Sequence, residues 1–342
     1  GCSAVDSVYV QYDPIVSLPN DTIIDIGANL ILDAGPMFAY YLWSDGSTNQ
    51  FLTVSNTGTY WVQTTTAGGC VSSDTINIWV GYSMDGAFTY ANASMTGMNN
   101  TKIVLSTVPP QKVDSVVLGV NGQYQFNNLW NATYNIIPEI TKPWGGINST
   151  DALAMMKHFV GLIYLNGIYL KAGDVDGSNY VNSADALMTQ KRYIGMVTSF
   201  PAGDWTWEDD DIVIYGANVN YSFQALCFGD VNGSYNPPLA KKPPQIELVA
   251  QNDLTISSNQ LFEMPFAINE EMSVGAISFA LEYPADYFEV ENVTLGNGET
   301  DNLLYSDDNG ELRISWYNLD AFELQANEPI LLVQFRSKDL TG

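Results

Sequence analysis

The sequence predicts a mainly β, multi-domain protein in which tandem β-sandwiches flank one small α-helical module. Over most of the 342 residues, short alternating apolar and polar stretches are separated by Gly, Asn and Asp turns, a pattern typical of sandwich strands. Helical periodicity is confined to two copies of one sequence, at 146–161 and 180–195. An apolar content of 46% indicates that a chain of this length can bury several cores.

The first complete sandwich is predicted over residues 13–82, where NLILDAG, FAYYLWSDGS, QFLTVSNTG and TYWVQTT alternate in the manner of short strands. Residues 1–12 (GCSAVDSVYVQY) echo residues 69–80 (GCVSSDTINIWV), so we expect 1–12 to be the last strand of a preceding copy. The sequences YLWSDGS, GTYWVQ and GCVSSDTI resemble the immunoglobulin-like or PKD-like repeats of large bacterial surface proteins.

A second sandwich is predicted over residues 83–140. Its sequence VNGQYQFNNLWNATYNI places Asn-Gly between alternating runs, which is the strongest short-range signal for a β-hairpin. This stretch resembles the carboxypeptidase-regulatory or prealbumin-like sandwich. The resemblance implies a structural spacer without catalysis.

The helical module is predicted over residues 141–238, and a candidate metal loop precedes its second repeat. Oxygen-bearing residues recur at alternate positions from GDVDGSN onward, as a twelve-residue calcium loop requires. Asn179 stands at loop position 6, where Gly is usual, and Asn tolerates the left-handed backbone needed there. We therefore expect a continuous calcium site formed by Asp174, Asp176, Ser178, Tyr180, Asn182 and Asp185.

The first repeat lacks the front half of this loop, because ITKPW at 140–144 carries no carboxylate. The missing half recurs downstream as GDVNGSYN at 229–236, followed by two prolines that cannot enter a helix. We predict a split calcium site in which Asp230, Asn232 and Ser234 face Asn148 and Asp151. The alternative is a polar turn without metal, because Asp and Asn are common in turns.

The sequence GDVDGSNYVNSADALMTQKRYIG resembles a type I dockerin repeat, a family with a duplicated calcium loop and helix that binds cohesin domains. The resemblance implies that Ser149, Thr150, Ser183 and Ala184 contact a partner. Residues 198–228 are an insertion relative to that family, and their alternation predicts a β-hairpin. The EDDD run at 208–211 is either a third ion site or a solvated turn.

The last module is predicted over residues 246–342, after the proline-containing linker NPPLAKKPPQ, which favours a semi-rigid spacer. The sequences VGAISFALEYPADYFEVENVTLG and GELRISWYNLDAFELQANEPILLVQFRSKD resemble a cohesin-like β-sandwich. A cohesin carries further strands after this point, so we expect the domain to be truncated or completed by another segment.

Composition and the residue inventory exclude several classes of function. With 38 acidic and 12 basic residues, the net charge of −26 opposes binding to nucleic acid or to anionic lipid. The sequence contains a single histidine and three scattered cysteines, without the spacing of a catalytic triad, a zinc site or a disulfide framework. Phosphate-loop and dinucleotide fingerprints are also missing from the sequence. We therefore expect a protein that is not an enzyme.

Three functional hypotheses follow. The first is a calcium-stabilised structural segment of an exported bacterial surface adhesin, stalk or filament, located on the cell surface. The second is a recognition scaffold in which the dockerin-like and cohesin-like modules join copies of this chain, or this chain and other surface proteins, head to tail. The third is the non-catalytic accessory region of a secreted polysaccharide-degrading enzyme, and the aromatic-rich sandwiches leave glycans open as partners.

Overall fold

A computed structural model describes Asp6 and residues 13–237 and 255–339. The mainly β, multi-domain fold class is confirmed, because the strands form several separate sheets and three α-helices lie together in the middle of the chain. Three expectations lie outside the described residues: the strand at 1–12 apart from Asp6, most of the linker, and the start of the last module. No described helix has the length and apolarity needed to cross a membrane.

The first sandwich contains two sheets around a core of fully buried side chains such as Trp43 and Val62. One sheet has the order β3–β5–β6, with β1 added in parallel to β6, and the other sheet is the pair β2–β4. Its strands are β1 (Thr22–Asp25), β2 (Leu30–Asp33), β3 (Tyr40–Trp43), β4 (Phe51–Val54), β5 (Gly58–Thr65) and β6 (Val71–Tyr90).

Strand β6 belongs to two sandwiches. It runs without interruption for 20 residues. Its first half pairs with β5, from Val71 opposite Thr65 to Ile78 opposite Gly58. Its second half pairs with the later strand β9 (Gln123–Leu129). The boundary expected at residue 82 therefore lies within a strand, and no linker separates the first sandwich from the second.

The second sandwich is built from two separated parts of the chain. One sheet has the order β12–β10–β7–β8, and in the other β6 pairs with β9, β13 and β14, while β11 pairs with β14. The remaining strands are β7 (Lys102–Thr107), β8 (Lys112–Val117), β10 (Ala132–Glu139), β11 (Trp205–Trp207), β12 (Ile212–Ile214), β13 (Val219–Asn220) and β14 (Phe223–Cys227).

Residues 198–228, which we expected to pair as one two-stranded hairpin against a neighbouring sheet, supply four short strands to the second sandwich. Strand β12 pairs with β10, and β14 pairs with β6. Phe223 of β14 stacks on Phe88 of β6 with ring centroids 4.3 Å apart, because alternating apolar residues of the insertion complete that core. Residues 141–204 are consequently an excursion out of the second sandwich.

The helical module occupies this excursion and contains α1 (Ser149–Phe159), α2 (Gly167–Gly173) and α3 (Ser183–Tyr193). Helices α1 and α3 pack on each other, and α2 adds Ile168 and Ala172 to the core of the second sandwich. The buried guanidinium of Arg192 lies between two rings, 3.8 Å from the centroid of Trp144 and 4.3 Å from that of Phe200. This double cation–π contact fixes α3 to the segments that enter and leave the module.

The C-terminal sandwich has two three-stranded sheets, β15–β20–β17 and β16–β19–β18, with Trp316 and Val333 in the core between them. Its strands are β15 (Leu261–Ala267), β16 (Met272–Glu282), β17 (Phe288–Leu295), β18 (Leu304–Asp308), β19 (Glu311–Leu324) and β20 (Pro329–Ser337). The outer face of the sheet β16–β19–β18 receives α1 and α3. Tyr317 of β19 joins the core of the helical module.

Candidate metal centre

Each long helix begins at a predicted metal ligand. Asn148 caps α1 and Asn182 caps α3, and in both helices the third residue is an aspartate that completes a capping box. The backbone amide of Asn148 donates to Asp151 Oδ2 at 3.0 Å, and that of Asn182 donates to Asp185 Oδ2 at 2.9 Å. Asn148 Oδ1 accepts the backbone amide of Thr150, and Asn182 Oδ1 accepts that of Ala184, each at 2.7 Å. These two side chains therefore act as helix caps in this structure.

The continuous site brings three predicted carboxylates together. Oxygens of Asp174, Asp176 and Asp185 all lie within 4.8 Å of one another, the one such group of three among the described residues. The chain reverses at Gly177 and Asn179, whose φ values are 76° and 69°. Asn179 thus adopts the left-handed conformation expected for loop position 6.

The split site repeats the hydrogen bonds of the continuous site, beginning with the first carboxylate. Asp174 Oδ1 accepts the amide of Ser178 at 2.9 Å, and Asp230 Oδ1 accepts the amide of Ser234 at 3.0 Å. In both loops the serine side chain lies near the same carboxylate oxygen, at 3.5 Å. The downstream fragment therefore folds as the front half of a loop.

The fifth and seventh loop positions also correspond. The hydroxyl of Ser178 donates to the carbonyl of Tyr180 at 3.2 Å, and the hydroxyl of Ser234 donates to the carbonyl of Gly146 at 3.0 Å. Gly146 has φ +89°, and a Cβ on it would stand 2.5 Å from Asp230 Oδ2. Only glycine fits at this position.

The closing carboxylates complete the match. Asp185 Oδ1 accepts the amide of Asp176 at 3.3 Å, and Asp151 Oδ1 accepts the amide of Asn232 at 3.2 Å across 81 positions of sequence. The structure thus brings Asn232 to Asp151, and Ser234 to Gly146, two residues before Asn148. The loop is split because the chain returns to the second sandwich between its two halves.

The two sites differ in burial. The closing aspartates Asp185 and Asp151 are both 0% exposed. At loop position 1, however, Asp174 is partly exposed and Asp230 is 0% exposed. The split site also contains a residue that sequence reasoning missed: the hydroxyl of Tyr90, in β6, donates to Asp230 Oδ2. Alternation along β6 indicates only that Tyr90 points into a core, so no local signal could identify this contact.

The electrostatics of the split site are unfavourable for two free carboxylates. Burial, followed by the charge of Asp230, raises the pKa of Asp151 well above its ordinary value, and burial also raises the pKa of Asp230. In the continuous site, burial raises the pKa of Asp185, while the hydrogen bond from Ser178 lowers that of Asp176. A cation between the buried carboxylates would relieve their repulsion. The donors are hard oxygens of the kind that calcium prefers, so the residues fit that ion.

Two members of the acidic run at 208–211 have protein partners. Glu208 Oε2 accepts the amide of Gln224 at 2.8 Å, which supports the pairing of β14. Asp209 forms an ion pair with Lys171 at 2.9 Å. These two carboxylates therefore stabilise the attachment of the insertion.

The residues implied as partner contacts have different environments. Ser149 is fully buried against the C-terminal sandwich, where its hydroxyl donates to the carbonyl of Ile277 at 2.6 Å and lies 2.8 Å from Ser315 Oγ. Its amide donates to Ser278 Oγ at 2.8 Å. Thr150 and the second-repeat residues Ser183 and Ala184 are exposed.

Helix α1 approaches the sheet closely at Gly275. A Cβ on this glycine would lie 3.3 Å from Leu153 Cδ2, a tight contact. The end of α3 adds a hydrogen bond from Arg313 to the carbonyl of Tyr193 at 3.4 Å and one from Ser306 to the carbonyl of Ile194. The helical module therefore docks on the C-terminal sandwich within one chain.

No protein-family model matches this chain, and no curated protein matches it. The solved structures to which it is similar include pilins. For the major pilin subunit BcpA of Bacillus cereus, the TM-score is 0.24 at 11% identity, over 60% of this chain and 67% of the pilin. For the major pilin SpaA of Corynebacterium diphtheriae, the TM-score is 0.24 at 10% identity, over 75% of this chain and 58% of the pilin. For the minor pilin GBS52 of Streptococcus agalactiae, the TM-score is 0.22 at 10% identity, over 58% of this chain and 71% of the pilin. Similarity of this extent is too weak to indicate a function.

Proposed function

We propose that this chain is a calcium-stabilised structural segment of an exported bacterial surface protein, such as an adhesin, stalk or filament. The observation that carries the proposal is the hydrogen-bond match between the two loops, one continuous and one assembled from segments 81 positions apart. A polar turn without metal would not require two fully buried aspartates to face each other.

Two sets of residues would hold the ions. Asp174, Asp176 and Asp185, with oxygens of Ser178 and Tyr180, belong to the continuous site, and Asp151, Asp230, Asn232 and Ser234, with the carbonyl of Gly146, belong to the split site. A bound calcium ion supplies positive charge that offsets the repulsion of the carboxylates. Because the ion binds only the folded module, it stabilises that module by about 2.7 kcal/mol at a hundredfold excess over Kd.

A structural role follows from how the parts are joined. Strand β6 connects the first two sandwiches, the split site holds the excursion against Tyr90 of the second sandwich, and α1 and α3 hold the C-terminal sandwich. The first connection is a continuous backbone, and the other two are made by buried contacts. The surface location rests on the tandem sandwiches and on a composition rich in Thr, Asn and Gly with a net charge of −26.

The test is calcium titration of the full chain by isothermal calorimetry after chelation, with melting temperature as a second measurement. We expect two binding events, of which Asp176→Asn removes one and Asp230→Asn removes the other. Calcium should raise the melting temperature of the unmodified chain, and magnesium should raise it less. An unchanged melting temperature on chelation, together with no calorimetric binding, would show that the loops are ordinary turns.

A second candidate function is recognition between chains through the helical module. It is favoured by the second repeat, where Ser183 and the 41%-exposed Leu187 are uncovered. Their counterparts in α1, Ser149 and Leu153, are buried against the C-terminal sandwich. If this face of α3 joins chains, the full chain should associate with increasing concentration in light scattering, and Leu187→Glu should keep it monomeric. A chain that is monomeric at all concentrations would exclude this function for the full chain.

A further inference from the structure

One outer face of the first sandwich carries a row of exposed aromatic side chains. We call this the aromatic face: the outward side of β3, β5 and residues 71–79 of β6. Along these strands the inward residues Trp43, Val62 and Ile76 are 0% exposed, whereas Tyr40 is 72% exposed and Trp61 is 39% exposed. Strand alternation therefore places Tyr40 and Trp61 on the side away from the core.

The aromatic residues are evenly spaced across the three strands. Tyr40 of β3 lies opposite Thr65 of β5, and Thr65 is four residues beyond Trp61 on that strand. Trp61 of β5 lies opposite Thr75 of β6, and Thr75 is four residues before Trp79 on that strand. Four strand residues span about 13 Å, so the three rings form a diagonal row with steps of similar length.

The row continues past the first sandwich. The ring of Trp79 meets that of Trp130 edge to face, with centroids 6.2 Å apart and planes at 89°. Trp130 follows β9 of the second sandwich and is 45% exposed. Because β6 continues between the two sandwiches, the row keeps a fixed geometry across their boundary.

The aromatic face is uncharged in a strongly acidic chain. None of its outward residues on β3, β5 or 71–79 is charged, although the chain has 38 acidic residues. The positions between the rings carry hydroxyls and amides, among them Thr59, Gln63 and Thr75. The adjacent β1 brings two carboxylates to one side of the face: Asp21 accepts hydrogen bonds from Asn77, and the exposed Asp25 lies opposite Gly81, two residues beyond Trp79.

We propose that the aromatic face binds a neutral polysaccharide in an extended conformation. A pyranose ring presents apolar C–H groups on its face and hydroxyls around its rim. Aromatic rings pack against the apolar C–H groups, and the hydroxyl and amide side chains between the rings hydrogen-bond to the sugar hydroxyls. An evenly repeated row fits a polymer, since each ring can contact a sugar at a regular interval along one strand of the ligand.

Charge distinguishes this occupant from two others. A polyanion would be repelled by the net charge of −26. A second copy of the chain would bring two such charges together. The inference does not depend on calcium binding, because the face lies on the first sandwich.

The test is native affinity electrophoresis of the full chain in gels that contain a soluble polysaccharide. The neutral probes are hydroxyethylcellulose, mixed-linkage β-glucan, galactomannan and dextran, and alginate is the anionic probe. We expect at least one neutral probe to retard the protein and alginate to have no effect. Tyr40→Ala and Trp61→Ala should each weaken the retardation about tenfold, while Trp61→Phe should retain part of it.

The matched control is Phe51→Ala, because Phe51 is 52% exposed on β4 in the opposite sheet. It should leave retardation unchanged, and melting temperatures should show that each variant is folded. The proposal fails if no neutral probe retards the protein. It also fails if Tyr40→Ala, at the more exposed ring, binds as well as the unmodified chain.

Discussion

Asp151 and Asp230 show how much of the split site depends on two residues. Both are fully buried. Asp151 accepts the amide of Asn232 from the other half of the loop and that of Asn148 from its own helix cap. Asp230 accepts the amides of Ser234 and Tyr235 from its own half of the loop. Burial favours the protonated form of both carboxyls. The ionised pair is therefore unfavourable for the fold unless a cation lies beside it.

This gives a prediction for pH dependence. Without calcium, the raised pKa values mean that the folded chain binds protons on Asp151 and Asp230 at a higher pH than the unfolded chain. Stability should then rise as the pH falls through the raised pKa values of the folded chain towards the ordinary aspartate pKa. Melting temperatures in chelator should show this increase, and saturating calcium, which favours the ionised form, should remove it.

The variant Asp151→Asn separates this effect from other titrating groups. It cannot take up the proton, so its calcium-free melting temperature should change less with pH than that of the unmodified chain. An equal pH dependence in both proteins would contradict the assignment.

The sequence identifies the residues that meet in both loops because their spacing repeats, and a repeated spacing is visible without a structure. The contributions of Tyr90 and Gly146 could not be predicted from a repeated spacing. Tyr90 reaches Asp230 across 140 positions, and Gly146 contributes a carbonyl that any residue possesses. Such contacts depend on tertiary packing, which local pattern does not specify.

At the scale of elements, helix α1 has two roles, because its first turn holds the split site and its face docks on β16 and β19. Ser149, in this first turn, makes the docking contact through its hydroxyl. It contacts the carbonyl of Ile277 and the hydroxyls of Ser278 and Ser315 in a fully buried position.

We predict that Ser149→Ala lowers the free energy of unfolding by about 1–3 kcal/mol, because it leaves buried polar groups of the C-terminal sandwich without a partner. Ser183→Ala is the matched control, since Ser183 holds the same repeat position on α3 and is exposed. Its effect should stay within about 0.5 kcal/mol. Urea denaturation measures both. Equal losses would mean that the docking contact contributes nothing.

The strands of the insertion, residues 198–228, show that sequence alternation does not identify the sheet that a strand joins. Alternation correctly indicates strands between residues 205 and 227, but period alone does not say which sheet they join. Partners are chosen by burial: Phe223 and Ile212 complete a core that residues 83–140 leave open. Because non-local pairing decides this, the excursion of 141–204 becomes visible only in the structure.

Over the whole molecule, the split site closes a long loop. Its halves are 81 positions apart, and a cross-link over such a length restricts the unfolded chain more than a short one does. The ion would also fix the helical module, and with it the C-terminal sandwich, relative to the second sandwich.

Chelation should therefore increase the maximum dimension of the full chain in small-angle X-ray scattering, because the C-terminal sandwich gains freedom relative to the second sandwich. Asp230→Asn in calcium should reproduce this increase. Asp176→Asn, which alters only the continuous site, should change the dimension less. Identical scattering with and without calcium would show that docking alone fixes the arrangement.

The uninterrupted strand β6 has a mechanical consequence. Its two halves are hydrogen-bonded to β5 on one side of the boundary and to β9 on the other, along one 20-residue backbone. Tension applied along this strand loads each ladder in shear, so many hydrogen bonds resist at once instead of opening one after another. The first two sandwiches would transmit a pulling force without a hinge, and extension would have to come from the segments that follow them.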